Sequence, residues 1–84
     1  MTNKEILKKQ IVFRSMHRGT KEMDLLLGNF VKKHIEEFSD TELKDLQQIV
    51  FLEDEILQKW YFETDSKIYI PETKVSKMLK NFKP

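Results

Sequence analysis

Ser39-Asp40-Thr41-Glu42-Leu43-Lys44-Asp45-Leu46-Gln47-Gln48-Ile49-Val50 carries both a helix start and a helix face. Ser39 and Glu42 stand at capping-box spacing: the hydroxyl can accept from the backbone N–H three residues on, and the carboxylate can reach back to the N–H of the cap. Leu43, Leu46, Ile49 and Val50 then recur every three or four residues, which gives a helix one apolar face. A cap followed by this period predicts a helix opening at Ser39 and buried along that face.

The pattern extends in both directions. Upstream, Met23, Leu26, Leu27, Phe30, Val31 and Ile35 mark one face of a helix whose other side carries Lys32, Lys33, Glu36 and Glu37. Glu22 and Asp24 fall in its first turn, where carboxylates complement the exposed N–H groups and the positive end of the dipole. Gly28 lies inside this helix and costs it about 1 kcal/mol relative to Ala, tolerable if another helix packs closely there. Earlier still, Thr2 and Glu5 have capping-box spacing, and Ile6, Leu7, Gln10, Ile11 and Arg14 predict a first helix from about Asn3 to about His17, ended by Gly19.

Downstream, Glu53-Asp54-Glu55 reads as the acidic first turn of a fourth helix, continued by Ile56, Leu57, Trp60 and Tyr61, with Trp60 as core anchor. Thr64-Asp65-Ser66-Lys67 breaks the pattern, and Ile68-Tyr69-Ile70 reads as a short extended connector. Pro71 suits the first position of a last helix with an apolar stripe of Val75, Met78, Leu79 and Phe82. The expectation is an all-α fold, a single compact domain of about five short helices over residues 1–84.

Composition excludes several function classes. A chain of 84 residues buries only roughly 60–65% of the surface its unfolded form exposes, so an apolar stripe is read first as core. The 15 basic and 14 acidic residues are interspersed and sum to +1, which leaves no strong field to gather nucleic acid or anionic lipid. Without cysteine there are no disulfides and no thiolate zinc sites, and the two histidines lack a carboxylate cluster at ligand spacing, so no metal is expected. There is also no glycine-rich phosphate loop and no nucleophile–base–orienter set, so the chain is not expected to be an enzyme. No run approaches the ~18 apolar residues of a membrane span. The opening Met1-Thr2-Asn3-Lys4-Glu5-Ile6-Leu7-Lys8-Lys9 has an early acid and no apolar signal core, so a bacterial cytoplasmic protein is expected.

One patch stands out. Arg14, His17, Arg18, Gly19, Lys21, Glu22 and Asp24 concentrate opposed charges around a helix-to-helix turn, where exposed side chains are held firmly enough to meet a partner. Gly19 can take the positive φ of a tight turn and leaves an open surface, while Arg18 offers a planar fork for a carboxylate, carbonyl or phosphate. The plain alternative is a helix-ending glycine beside a local Arg18–Glu22 ion pair at i, i+4, a kind that contributes little. His17 is either a surface residue complementing the helix dipole or a group titrating near neutral pH.

His17-Arg18-Gly19-Thr20-Lys21-Glu22-Met23-Asp24-Leu25-Leu26-Leu27 resembles the R-G-x-x-E-x-D signature of the SdhE family, the flavinators, and Phe30 matches its aromatic position. A second match follows in Leu52-Glu53-Asp54-Glu55-Ile56-Leu57-Gln58-Lys59-Trp60, similar to the family's acid-rich segment ending in Leu-x-x-Trp. His17 stands where many members have a second Arg, and Ile56 where an acid is common. The resemblance implies an assembly factor that binds the flavoprotein subunit of succinate dehydrogenase, and of fumarate reductase too in some readings, and promotes covalent attachment of FAD to a histidine of that partner. FAD then belongs to the partner and is not held stably by this chain. Arg18, Gly19, Glu22, Asp24 and His17 are the implied partner-binding residues: Arg18 donating to the partner, Gly19 permitting close approach, Glu22 orienting Arg18 or accepting from the partner. Asp54 and Glu55 read as helix N-terminal acids rather than contacts.

Two other readings remain at this point. Some relatives carry an antitoxin label, which suggests a regulatory protein-interaction module working through the same turn. A small helical nucleic-acid binder would lay Lys8, Lys9, Arg14 and Arg18 against phosphates, and the balanced charge disfavours it. With no long heptad seam, a monomer is expected when free.

Overall fold

Hydroxyl side chains open four of the five α-helices in the computed structural model, which describes residues 2–63 and 67–84. In chain order these are α1 (Asn3–Met16), α2 (Lys21–His34), α3 (Asp40–Val50), α4 (Asp54–Gln58) and α5 (Lys74–Lys80), with α4 running on as a π turn over Lys59–Glu63. Thr2 Oγ1 accepts from Glu5 N at 3.2 Å, and Thr20 Oγ1 accepts from Met23 N at 3.3 Å. At Ser39 both halves of the capping box form: Glu42 N donates to Ser39 Oγ at 3.2 Å, and Ser39 N donates to Glu42 Oε1 at 2.8 Å. No strand forms among the described residues. The all-α expectation holds, and the polar break read at 64–66 lies outside the described residues.

The last helix starts later than Pro71. Thr73 caps it, accepting from Ser76 N at 3.0 Å, while Thr73 N donates to Ser76 Oγ at 2.8 Å. Serine thus takes the place that Glu or Gln holds in the usual box, which hides the start from a search for an acid. Pro71 belongs to the irregular connector before the cap.

The core is built as the apolar spacing of α2 and α3 demands. Met23, Leu26, Leu27, Phe30, Val31 and Ile35 are all buried, as are Leu43, Leu46, Ile49 and Val50. Ile11, Phe38, Leu57, Val75 and Leu79 join them in one cluster. α1 packs on α2 and α3, and α3 packs on α5, giving a radius of gyration of 12.1 Å. That is the roughly 12 Å of a compact chain this long.

α1 is turned relative to its expected face. Ile11 and Ser15 are fully buried and Leu7 and Val12 half-buried, while Ile6, Gln10 and Arg14 are exposed. Ser15 Oγ donates to Val12 O at 2.8 Å, which lets a hydroxyl enter the helix interface without an unpaired group. Gly28 of α2 lies over this point, and a Cβ there would stand 3.9 Å from Ser15 O, an ordinary contact. The packing is close, but it does not require glycine.

Trp60 is not the core anchor. It lies half-buried on the π turn at the edge of the cluster, with Lys80 Nζ 4.6 Å above its ring and donating to its carbonyl oxygen. Burial pushes the Lys80 ammonium below its ordinary pKa. Phe30 is the largest of the fully buried side chains.

Candidate partner-binding site

The turn between α1 and α2 is assembled from three helix ends. α1 stops at Met16, and His17 leaves helical geometry with φ −119° and ψ 56°. Arg18 then folds inward: its side chain is only 4% exposed, and its Nε donates to Asp54 Oδ1 at 2.6 Å. Nη2 donates to Leu52 O at 2.5 Å, Nη1 donates to Val50 O, and a longer contact of 3.4 Å runs from Nη1 to Arg14 O. The second oxygen of Asp54 accepts from Gly19 N at 2.6 Å, and Asp24 Oδ1 accepts from Arg18 N at 2.8 Å.

Helix chemistry explains why a cation is wanted there. The last carbonyls of a helix have no partner within it and carry the negative end of the dipole. α3 has no basic residue in its own last turn, so Arg18 supplies one from outside, covering Val50 O at the end of α3 and Leu52 O just beyond it. Asp54 occupies the first turn of α4, where a carboxylate is favoured, and places its charge on Arg18 and Gly19. Asp54 and Asp24 together fix the backbone N–H groups of Gly19 and Arg18 in one geometry.

Two expectations about this turn are corrected. Arg18 is not an exposed fork for a partner, and it does not pair with Glu22; its planar group satisfies the ends of α1 and α3 and is oriented by Asp54. Gly19 is not in the left-handed region. Glycine is suited there because a Cβ would stand 3.0 Å from Asp54 Oδ2, tight against the oxygen that its own N–H binds.

The remaining candidates divide. Asp24 is half-buried and holds the Arg18 backbone. Glu22 is exposed and makes no hydrogen bond or ion pair with another described residue. His17 is exposed, its Nδ1 donating to Phe13 O at 2.8 Å and its ring stacked on Phe13 with centroids 4.1 Å apart. Arg14, also exposed, lies over the Phe51 ring at 5.0 Å. The residue that sequence reasoning missed is Asp54, read as a helix acid; its place in the acid-rich segment was visible, but its partner 36 positions earlier was not.

A hollow of about 230 Å³ lies beside the turn, lined by Arg14, His17, Arg18, Gly19, Leu52, Glu53 and Asp54. Among the described residues no group of three or more His, Asp or Glu side chains is placed to hold a metal ion. No helix among them is long and apolar enough to cross a membrane. The arrangement offers a fixed backbone, one free carboxylate and a stacked imidazole, which suit binding.

Comparison with known proteins bears on what is bound. A family model described as flavinator of succinate dehydrogenase matches residues 9–83. The FAD assembly factor SdhE of Acetobacter pasteurianus is 34% identical over 73 residues, covering 87% of this chain and 64% of that protein. The mitochondrial succinate dehydrogenase assembly factor 2-B of Drosophila simulans is 32% identical over 78 residues, covering 90% of this chain and 50% of that protein. The chain thus spans between half and two thirds of the length of these relatives. No solved structure matches it significantly. With the family match running from the middle of α1 to beyond α5 and taking in the whole Arg18 turn, the chain belongs to the family of flavinators of succinate dehydrogenase.

Proposed function

We propose that this chain is an assembly factor that binds the flavoprotein subunit of succinate dehydrogenase and promotes covalent attachment of FAD to it. The observation that carries the reading is the Arg18–Gly19 turn: Asp54 and Asp24 hold its backbone, and Glu22 and His17 are left exposed beside it. A surface fixed before binding loses less conformational entropy when a partner docks, so more of the contact energy remains for affinity. Glu22 and His17 are the side chains that meet the flavoprotein in this account, and Arg18, Gly19 and Asp24 set the shape they stand on.

The bond to the flavin forms within the partner, between its own histidine and its FAD. This chain contributes position, since holding reacting groups in a near-attack arrangement removes several kcal/mol of barrier without a new acid or base. Gly19 is pressed against Asp54 and Gly28 lies in the middle of α2, so neither glycine forms a phosphate-binding loop, which supports the reading that FAD stays with the partner. In this reading the chain acts as one domain in the bacterial cytoplasm, monomeric when free, with no turnover of its own, no metal and no nucleic-acid partner.

In-gel flavin fluorescence of the succinate dehydrogenase flavoprotein, in cells with and without this gene, tests the proposal. Covalent fluorescence is expected to fall when the gene is removed and to return when it is restored. Equal fluorescence in both strains overturns the assignment.

A further inference from the structure

Another hollow, of about 130 Å³, lies between α3 and the connector that precedes α5. Ile49 and Ile70 form buried apolar walls, Leu52 and Pro71 continue them, and Tyr69 lines it with 83% of its own surface exposed. The one charged group in the lining is Asp45, half-buried in the middle of α3. Its carboxylate has no hydrogen bond or ion pair among the described residues, whereas Lys74, next to the lining residue Thr73, is held by Glu42 at 3.2 Å. Whatever covers this hollow takes water from the Asp45 carboxylate, which costs free energy unless the occupant brings a compensating cation. Space is the second constraint: pockets for drug-sized ligands run to about 300–1,000 Å³, so about 130 Å³ suits a single side chain. A metal ion needs several oxygen ligands, and among the described residues no such group is assembled.

We infer that this hollow receives one basic side chain, Lys or Arg, of the flavoprotein, its stem against Ile49, Ile70 and Pro71 and its cation on Asp45 beside the Tyr69 ring. The inference rests on the function proposed above and adds a second contact next to the Arg18–Gly19 turn. Basic side chains lay their methylene stems along apolar surface while the charged head stays with polar groups, and an aromatic face attracts the same cation. Continuity with the turn runs through Leu52, which lines both this hollow and the hollow beside Arg18 and Gly19. The Leu52 carbonyl oxygen also accepts from Arg18 Nη2, so the clamp that shapes the turn holds a wall of the Asp45 hollow as well. An interface of ordinary size covers about 800 Å² on each partner, so a flavoprotein seated on Glu22 and His17 reaches the neighbouring hollow.

The test is calorimetric titration of the flavoprotein subunit, purified with FAD bound but not yet covalently attached, by the wild-type chain and three variants. Asp45→Asn keeps the shape and removes the charge, and it is expected to bind about tenfold more weakly through loss of a charge-assisted contact. Asp45→Lys should bind at least about a hundredfold more weakly, because it sets like charges together in the hollow. Melting temperatures should stay within about 3 °C of wild type, since Asp45 has no partner in the fold to lose. Glu37→Gln, the same change in net charge at an exposed carboxylate outside the hollow, should bind as wild type does. If Asp45→Lys does not fold, Asp45→Asn decides. Wild-type affinity in folded Asp45→Asn overturns the site while leaving the proposed function standing. Equal losses in Asp45→Asn and Glu37→Gln point to a diffuse field rather than a seated cation and overturn it too. Failure of the wild-type chain to bind removes both the site and the function. Sedimentation showing a wild-type dimer that Asp45→Asn turns into monomer overturns the inference in favour of a second copy.

Discussion

The chain turns into α2 and into α3 by different means. At α3, Ser39 and Glu42 hold the helix start, three positions apart, each bonded to the other's backbone N–H. At the α1–α2 turn, Thr20 supplies an ordinary cap, but the geometry depends on Asp54, 36 positions from Arg18 and 35 from Gly19. The first junction is a local device that would form in an isolated helix. The second exists only once α1, α3 and α4 are packed, so it links the shape of the candidate site to the integrity of the fold.

That contrast sets the size of the expected mutational effects. Arg18→Ala should be the most damaging, destabilising by about 3 kcal/mol, because it strips the cation from the Val50 and Leu52 carbonyls and leaves Asp54 with only its bond to Gly19 N. Urea unfolding measures it, and a loss below about 0.5 kcal/mol would show that the cross-chain clamp is ornamental. Gly19→Ala should cost about 1–2 kcal/mol, since the new Cβ presses on Asp54 Oδ2 at the oxygen bonded to Gly19 N. Combining it with Asp54→Ala should give less than the sum of the two single losses, which a double-mutant cycle reads directly.

The local junction should yield less. Ser39→Ala is expected to cost about 1 kcal/mol, the usual effect of losing a hydroxyl cap. Glu42 sharpens the point through pH. The Ser39 backbone N–H, and after it Lys74 at 3.2 Å, hold the Glu42 carboxyl below its ordinary pKa of 4.5. A depressed acid stabilises the fold above its unfolded pKa, and that contribution is lost as pH falls through the folded value. The melting-temperature difference between wild type and Glu42→Gln should therefore be present at neutral pH and close as the pH drops below 4.5. A difference that stays constant across that range would contradict the capping account. Smallest and opposite in sign, Gly28→Ala should raise stability by about 0.5–1 kcal/mol, because its Cβ meets only an ordinary contact with Ser15 O.

Legibility in the sequence followed the same division between local and distant. The buried faces of α2 and α3 were readable because helical period and burial coincide, with all ten expected positions inside. The start of α3 was readable because both partners of its box lie within one turn. The start of α5 was missed because Ser76 rather than an acid answers Thr73, and the rotation of α1 because a buried serine, Ser15, looks polar to any apolar count. At the turn, the right residues were singled out but their orientation was not: spacing offered Glu22 as Arg18's neighbour, and only tertiary packing brings Asp54 to it. Glu22 emerges as the free carboxylate of the motif for that reason.

The direct test is covalent flavin on the succinate dehydrogenase flavoprotein in cells lacking their own factor and supplied with the wild-type chain or Glu22→Ala, read beside the melting temperature of each purified chain. Exposed and unpaired among the described residues, Glu22 should be removable with a stability change under about 0.5 kcal/mol. A folded Glu22→Ala chain should leave covalent flavin well below the wild-type level. Full flavinylation by that folded variant would contradict it and reduce the turn to an ordinary helix junction.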